Sequence, residues 1–448
     1  MLMSKNVDVF GLPRDLGDGL TLRWARPEDV DELAEFNSIV HSDTAEPDEN
    51  IRMWIYDLFR ENHPTTGPGD FTVVVDEKNS GKIISSLNLI SQTWAYAGIP
   101  FGVGRPEVVG TNPDYRRKKL VKIQMDVVHA KSAARGELVQ GITGIPWYYR
   151  QFGYAMALNL SGARWMQWSS VTKLEAGQEE SYRLRPATIS DLPVLTRLYQ
   201  IHSAPGLISR VKTETEWHYE LTIPDKKNHF NRNYSLIENI TGEPIGYVEA
   251  KPAQHGPYAV RELAVLPGYS LRMVCEFLAR YIKVEAEELN KERKNPIICI
   301  SWAFGAEHPA YTALGNQLDK PLSPYSWFIR VADLPRFIRH IASALEKRLV
   351  GSVMEGYSGT LRLNFYHSNL TIVFDKGKLT EVGTFKPTKV ADGDALFPDL
   401  TFLQVLFGHR SLSELNYIYP DCYATNERSA LLINTLFPKQ ASEVVALD

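Results

Sequence analysis

The chain repeats itself, and this bounds its fold more tightly than any single motif does. Residues 22–33 (LRWARPEDVDEL) are echoed by residues 184–195 (LRPATISDLPVL). Both stretches read as a short strand, a polar turn and an amphipathic helix. In the second copy Ser190 reads as the N-cap, and Pro193 falls early enough in the helix to be tolerated. The echo continues downstream. Residues 71–75 and 82–89 read as a hairpin around DEKNSG, and residues 234–238 and 244–250 read the same way around NITG. A strand at 107–113 followed by a helix is matched by a strand at 261–267 followed by a helix. One unit of about 160–175 residues, an ordinary domain size, therefore occurs twice.

The remainder, from about Gly351, has a different texture. Leu361, Leu363 and Phe365 alternate with polar residues, as a half-buried strand requires. Residues 370–374 read as the hairpin partner and residues 375–378 as the next turn. Two short helices follow, one at 402–407 and one opened by Ser411 with Glu414 three residues on, a capping-box pattern. The fold class expected is α/β with α+β character: two tandem mixed-sheet domains at residues 1–175 and 176–348, then an α+β module at 349–448.

Composition narrows the function class. Hydrophobic residues make up 44% and charged residues 23%, which is the soluble globular norm. A net charge of −4 gives no case for a nucleic-acid or membrane-surface partner. Cys275, Cys299 and Cys422 are odd in number and widely spaced, so they predict neither a disulfide framework nor a zinc site, and no metal is expected. Each reads as a buried reduced thiol in a reducing cytoplasm. The first residues lack the apolar stretch of a signal peptide, and no window approaches the length a membrane helix needs.

The chemistry concentrates between Glu107 and Tyr154. A strand ends at Asn112-Pro113, where proline forbids further pairing. Tyr115, Arg116, Arg117, Lys118 and Lys119 then open a helix with an inner stripe of Leu120, Ile123, Val127, Ala130 and Ala134. Four cations in a row at a helix N-terminus oppose the helix dipole unless an anion sits among them. A pyrophosphate would supply it; a solvated basic turn is the plainer reading. A strand at 138–143 follows. Gly144-Ile145-Pro146 then starts another helix, with the proline in its first turn, carrying WYYRQFGY at 147–154.

This order resembles the acetyl-coenzyme A core of the GNAT N-acetyltransferases. Their cradle pattern is Arg/Gln-x-x-Gly-x-Gly/Ala. Here Arg116 matches, while Lys119 and Val121 stand where the glycines belong. The resemblance implies acetyl-CoA contacts from Val109, Gly110, Thr111, Arg116, Arg117, Lys118, Lys119, Leu120, Val121, Lys122, Gly144 and Ile145. It also implies two parallel strands that splay apart, leaving a strand edge for the pantetheine arm. The family's Tyr-x-x-x-Gly-Tyr/Phe motif falls on Tyr149, Gly153 and Tyr154, which makes Tyr149 the general acid that protonates the departing thiolate. The competing reading makes these aromatics core. Glu107 is a candidate base, set against a surface salt-bridge carboxylate.

Two tandem GNAT-like units with a small α+β module are similar to the Eis family of bacterial N-acetyltransferases, over nearly the whole chain. That resemblance implies a single acetyl-CoA site in the first unit, a degenerate second unit and a sterol-carrier-protein-like C-terminal domain. It implies a homo-oligomer, a hexamer by family resemblance. It also implies a second candidate base, the C-terminal carboxylate of Asp448. The second unit agrees: its equivalent cradle, YSLRMVC at 269–275, has one cation and no glycine, and Leu271, Met273 and Val274 read as core. The acceptor is expected to be an amine of a cationic small molecule, aminoglycoside or polyamine-like, or of a lysine side chain. Acids at Asp43, Glu46, Asp48 and Glu49 would favour it over a neutral one; the competing and plainer reading is a solvated polar loop. Trp54, Tyr56, Trp94, Tyr96 and Trp147 are candidates for an acceptor pocket or for core. The alternative function is a non-catalytic acyl-CoA or lipid binder.

Overall fold

Each copy of the repeated segment opens on the same lock. Arg23 Nη1 lies 2.6 Å from Asp29 Oδ2, and that carboxylate also accepts the Arg26 N–H at 2.7 Å. Arg185 Nη1 lies 2.8 Å from Asp191 Oδ2, which accepts the Thr188 N–H at 2.8 Å. In both copies an arginine on the first strand orients the aspartate that ends a 3₁₀ turn and leads into the first α-helix. This corrects the reading of Ser190 as N-cap. The intervening 3₁₀ turn, Ile189–Asp191, moves the capping box back to Thr188.

The computed structural model describes residues 8–44, 46–228, 230–442 and 444–445. It divides into two compact units: Met1–Leu158 with Pro224–Phe230 and Trp327–Gln440, and Asn159–Ile223 with Asn231–Ser326 and Ala441–Asp448. Among the described residues no helix is long and apolar enough to cross a membrane.

The first unit is built on strands β1 (Arg14–Gly17), β2 (Leu20–Trp24), β3 (Phe71–Asp76), β4 (Lys82–Tyr96), β5 (Ile99–Thr111), β6 (Val139–Ile142) and β7 (Ala155–Leu160). They run in spatial order, with the distant strand Tyr325–Arg330 inserted between β6 and β7. Pairing is antiparallel from β1 to β5 and parallel between β5 and β6. Its helices are α1 (Val30–Val40), α2 (Glu49–Leu58) and α3 (Leu120–Ala134). Leu120 and Val127 of α3 pack with Leu22, Val74 and Ile84, while α1 reaches the sheet through Asn37, whose Oδ1 accepts from Ser86 Oγ at 3.1 Å. The expected α3 stripe needs correction. Ala130 and Ala134 are exposed, and Gln124 and Ser132 are buried instead. Gln124 donates to Ser85 Oγ at 2.7 Å and Ser132 Oγ accepts from Gln140 at 2.9 Å, so both polar groups are paired inside.

A separate sheet in this unit carries Gly359–Asn364, Asn369–Asp375, Lys378–Gly383, Ala395–Leu396 and Tyr423–Ala424. Leu361, Leu363 and Phe365 are buried, and Ser411 and Glu414 form the expected capping box on the helix Leu412–Ile418.

The second unit holds a six-stranded sheet ordered Arg164–Gln167, Ile297–Trp302, Gly256–Val265, Pro244–Pro252, Tyr234–Asn239 and Tyr182–Pro186. Its long helix, Leu271–Leu289, packs Val274, Phe277, Leu278 and Ile282 into the core. Met273 is exposed, contrary to the core reading, because the helix turns that position away from the sheet. All three cysteines are buried and free.

Candidate active site

The chain between β5 and α3 makes an anion cradle out of backbone. Asn112 turns the strand end by accepting the Asp114 N–H at 3.0 Å, and Pro113–Tyr115 form one 3₁₀ turn. The Tyr115 hydroxyl anchors that turn on Asp76 Oδ2 at 2.6 Å. Arg116 is extended, and Arg117 and Lys119 are left-handed at φ 67° and 61°. The helix starts only at Leu120, so the basic run precedes it rather than forming its first turn, a correction to the sequence reading. Two left-handed residues cannot continue a right-handed helix.

Lys119 is the N-cap and makes no side-chain cap bond. The first-turn N–H groups of α3 thus face outward without a protein acceptor from the cap side chain. At Lys119 the backbone holds the conformation that the motif's glycine would adopt freely. Arg116, Arg117, Lys118 and Lys119 are all exposed, and among the described residues Arg116, Arg117 and Lys119 have no ion pair. Lys118 Nζ lies 3.9 Å from Asp18, and Lys122 Nζ lies 3.5 Å from Asp126. Unpaired cations at an uncapped helix start suit a diphosphate.

Beside the cradle the sheet opens. β5 and β6 pair only at Val103–Val139 and Gly104–Gln140, while the other edge of β6 pairs with Tyr325–Arg330. The β5 edge from Glu107 to Thr111 is left free of β6. A bulge falls in the same place: the β4–β5 register slips between Ser86 and Asn88, and Val108 is left-handed at φ 52°. Gly110 lacks a side chain because α1 lies too close. A Cβ there would sit 2.9 Å from Val40 Cγ1 and 3.3 Å from His41 Nε2. Thr111 Oγ1 lies 2.8 Å from Ser85 Oγ, and Val109 packs toward Tyr149.

After β6, Gly144 and Ile145 are exposed and Trp147 turns left-handed at φ 66°. The expected helix from Pro146 is therefore a shorter 3₁₀ segment, Tyr148–Phe152. Tyr149 is its buried residue, 3% exposed, packed among Leu87, Leu89, Met125, Val128, Ile142 and Phe328. No described residue hydrogen-bonds its hydroxyl. Burial, then the charge of Glu107, then Tyr148, push the phenol above its ordinary value, so it stays protonated.

Glu107 is buried rather than a surface carboxylate, which removes that competing reading. Arg105 Nη2 donates to its Oε1 at 2.5 Å. Burial raises its pKa; Arg105 and the Val108 N–H pull the other way. Asp448 lies outside the described residues. Of the loop acids, Asp48 caps α2 and Glu49 lies 3.0 Å from Arg52, while Asp43 and Glu46 are exposed and have no ion pair among the described residues. Trp54, Trp94 and Tyr96 are core, while Trp147 is 60% exposed.

Three residues around this region escaped the sequence reading. Arg105 shares a strand face with Glu107 two residues on, a period-2 pairing that was available to see. Val108 and His129 gave no local sign. His129 Nε2 lies 2.7 Å from the Tyr154 hydroxyl.

Residues 21–157 match the family described as Acetyltransferase (GNAT) domain. The chain carries a GNAT acetyltransferase domain. With it stands the assignment of the chain as an N-acetyltransferase; GNAT domains use acetyl-CoA and act on amine acceptors. The comparison does not support a non-catalytic acyl-CoA or lipid binder. No curated protein matches the chain. Among solved structures, the chain is similar to a GCN5-related N-acetyltransferase from Anabaena variabilis, at 15% identity and TM-score 0.64, over 95% of this chain and 98% of that one. A GCN5-related N-acetyltransferase from Kribbella flavida aligns at 15% identity and TM-score 0.65, over 95% and 97%. Eis1 from Mycobacterium abscessus aligns at 12% identity and TM-score 0.59, over 96% and 100%. At these identities the likeness is one of fold: a mixed α/β chain with tandem GNAT-like sheets.

Proposed function

We propose that the GNAT domain transfers acetyl from acetyl-CoA to a primary amine by direct attack, with Tyr149 as general acid. One observation carries this: the helix whose uncapped start is headed by four exposed cations also packs Met125 and Val128 against a buried phenol that has no hydrogen-bond partner among the described residues. When bound, acetyl-CoA supplies an activated thioester. The N–H groups of Leu120, Val121 and Lys122, with Arg116, Arg117, Lys118 and Lys119, would hold its diphosphate. The free edge at Val109, Gly110 and Thr111, together with Gly144 and Ile145, would hold the pantetheine arm. Tyr149 gives its proton to the departing sulfur. Glu107 or the Asp448 terminal carboxylate takes the proton from the amine; burial lifts Glu107 toward the range of a useful base.

We assign the domains as residues 1–175 (catalytic), 176–348 (degenerate) and 349–448 (sterol-carrier-protein-like), in an Eis-like, cytoplasmic homo-oligomer. Two features of the second unit support a structural role for it. Ser270 caps the equivalent helix by accepting from Met273 N at 3.3 Å, so one of the N–H groups at that helix start already has an acceptor. Lys212 Nζ, bonded to Glu220 at 2.9 Å and to Tyr234 at 2.6 Å, fills the interior with the chain's own ammonium. The acceptor we favour is a cationic small molecule or a lysine side chain, on the strength of exposed Asp43 and Glu46.

Release of CoA thiol tests the function, with acetyl-CoA and a panel of polyamines, aminoglycosides and lysine peptides. Turnover that disappears in Tyr149→Phe supports the reading. Acetyl-CoA binding without turnover on any amine overturns it.

A further inference from the structure

The turn that carries Tyr149 is short and irregular. It is a 3₁₀ segment, Tyr148–Phe152, entered through left-handed Trp147 and left through left-handed Gly153. Such a segment has few internal hydrogen bonds to fix it. Its phenol must nevertheless sit within hydrogen-bond reach of one sulfur atom. Something outside the turn has to set its position.

The second residue after the turn is Tyr154, fully buried, whose ring centroid lies 6.3 Å from that of Tyr149. Its hydroxyl lies 2.7 Å from His129 Nε2, and the two rings pack at 5.6 Å between centroids. His129 belongs to α3, the same helix whose first turn follows the cradle. Burial and Arg330 hold its imidazole down at about 3, so the ring is neutral at any working pH. Burial raises the Tyr154 phenol, so it too stays neutral. The bond therefore persists unchanged across the range in which the domain would work.

His129 lies nine residues beyond Leu120, about 14 Å along the helix at 1.5 Å per residue. One rigid element thus carries the phosphate-binding end and a clamp on the phenol-bearing turn. We propose that His129 is a positioning residue for acyl transfer: through Tyr154 it ties Tyr149 to α3, so that the helix sets the distance between the bound diphosphate and the proton donor. This rests on the reading of Tyr149 as the acid.

Three variants test it, two of them repeated in a Tyr149→Phe background, with acetyl-CoA as donor and the most active amine of the panel above as acceptor. Tyr154→Phe removes only the hydroxyl and leaves no cavity; His129→Phe removes the other partner, and His129→Gln keeps a polar group at the position. Tyr154→Phe and His129→Phe are expected to lower kcat by about tenfold to a hundredfold with KM for acetyl-CoA unchanged. His129→Gln should recover part of the loss. In a Tyr149→Phe background the same two changes should cost nothing more. A loss of equal size in both backgrounds, or no loss in either, overturns the positioning role. A Tyr149→Phe enzyme at full kcat instead overturns the acid assignment, and the inference with it. A second readout does not need turnover: amide exchange across 148–153 should accelerate in Tyr154→Phe while exchange in α3 does not. Unchanged exchange in the turn contradicts the clamp.

Discussion

Arg105 reaches along its own strand to Glu107, Nη2 to Oε1 at 2.5 Å, and both side chains are buried beneath the bulge at Val108. Burial lifts the Glu107 carboxyl above its ordinary 4.5, and the guanidinium pulls against that rise without cancelling it. Between the unfolded and folded pKa values the native state therefore binds more protons than the unfolded one. Stability is full below the ordinary value and falls as pH rises through that window. Removing the guanidinium enlarges the penalty. Arg105→Met should cost about 3–5 kcal/mol at pH 8, where a charged carboxylate is left buried and alone. The deficit should shrink at pH 5. Urea unfolding at the two pH values checks this; an equal deficit at both would contradict it.

The Tyr149 phenol is raised above its ordinary value of 10.0, so the protonated form persists throughout the accessible pH range. Tyr149→Phe is expected to lower kcat by about 10²–10⁴-fold, with little change in KM for acetyl-CoA. The kcat profile of the wild-type enzyme should rise with pH as the base ionises and show no descending limb below about pH 10. A falling limb near pH 8 would mean that another group donates the proton.

In the proposed mechanism one carboxylate takes the amine proton, and a pair of variants would name it. Glu107→Gln tests the first candidate. Adding two glycines after Asp448 displaces the terminal carboxylate and tests the second. One of the two changes should lower kcat by about a hundredfold or more and the other should leave it within a few-fold. Full activity in both variants would exclude both bases.

Lys119 adopts φ 61°, where a side chain is strained by about 1 kcal/mol and glycine is not. Lys119→Gly should raise the melting temperature by about 1–3 °C and preserve CoA affinity, because the backbone donors of α3 remain. Lys119→Val, β-branched at a left-handed position, should lower it. Calorimetric scans of the three proteins decide the matter, and a Lys119→Gly protein that melts lower would refute the strain argument.

Much of this was legible in the residues. The duplicated Leu-Arg start, the hairpins and the Ser411–Glu414 box are local patterns, and each produced the expected element. Tyr149 could be proposed from the residues alone because its motif, Tyr149 to Tyr154, is contiguous. The failures share a cause. Where α3 begins depends on backbone angles at Arg117 and Lys119 that a basic side chain does not advertise. The pairing of Tyr325–Arg330 with β6 joins residues far apart in sequence, and periodicity cannot see such a partner. His129 reads as an ordinary helical residue until Tyr154 is placed beside it.

The proposed chemistry requires the cations ahead of α3 to hold a diphosphate. Titration calorimetry with CoA tests that most directly, on the wild-type chain and on Arg116→Glu/Arg117→Glu. The prediction is one site per chain, since the second unit's helix is capped by Ser270, and at least a tenfold loss of affinity in the charge-reversed protein. Two sites per chain, no heat, or an affinity untouched by the reversal would contradict it.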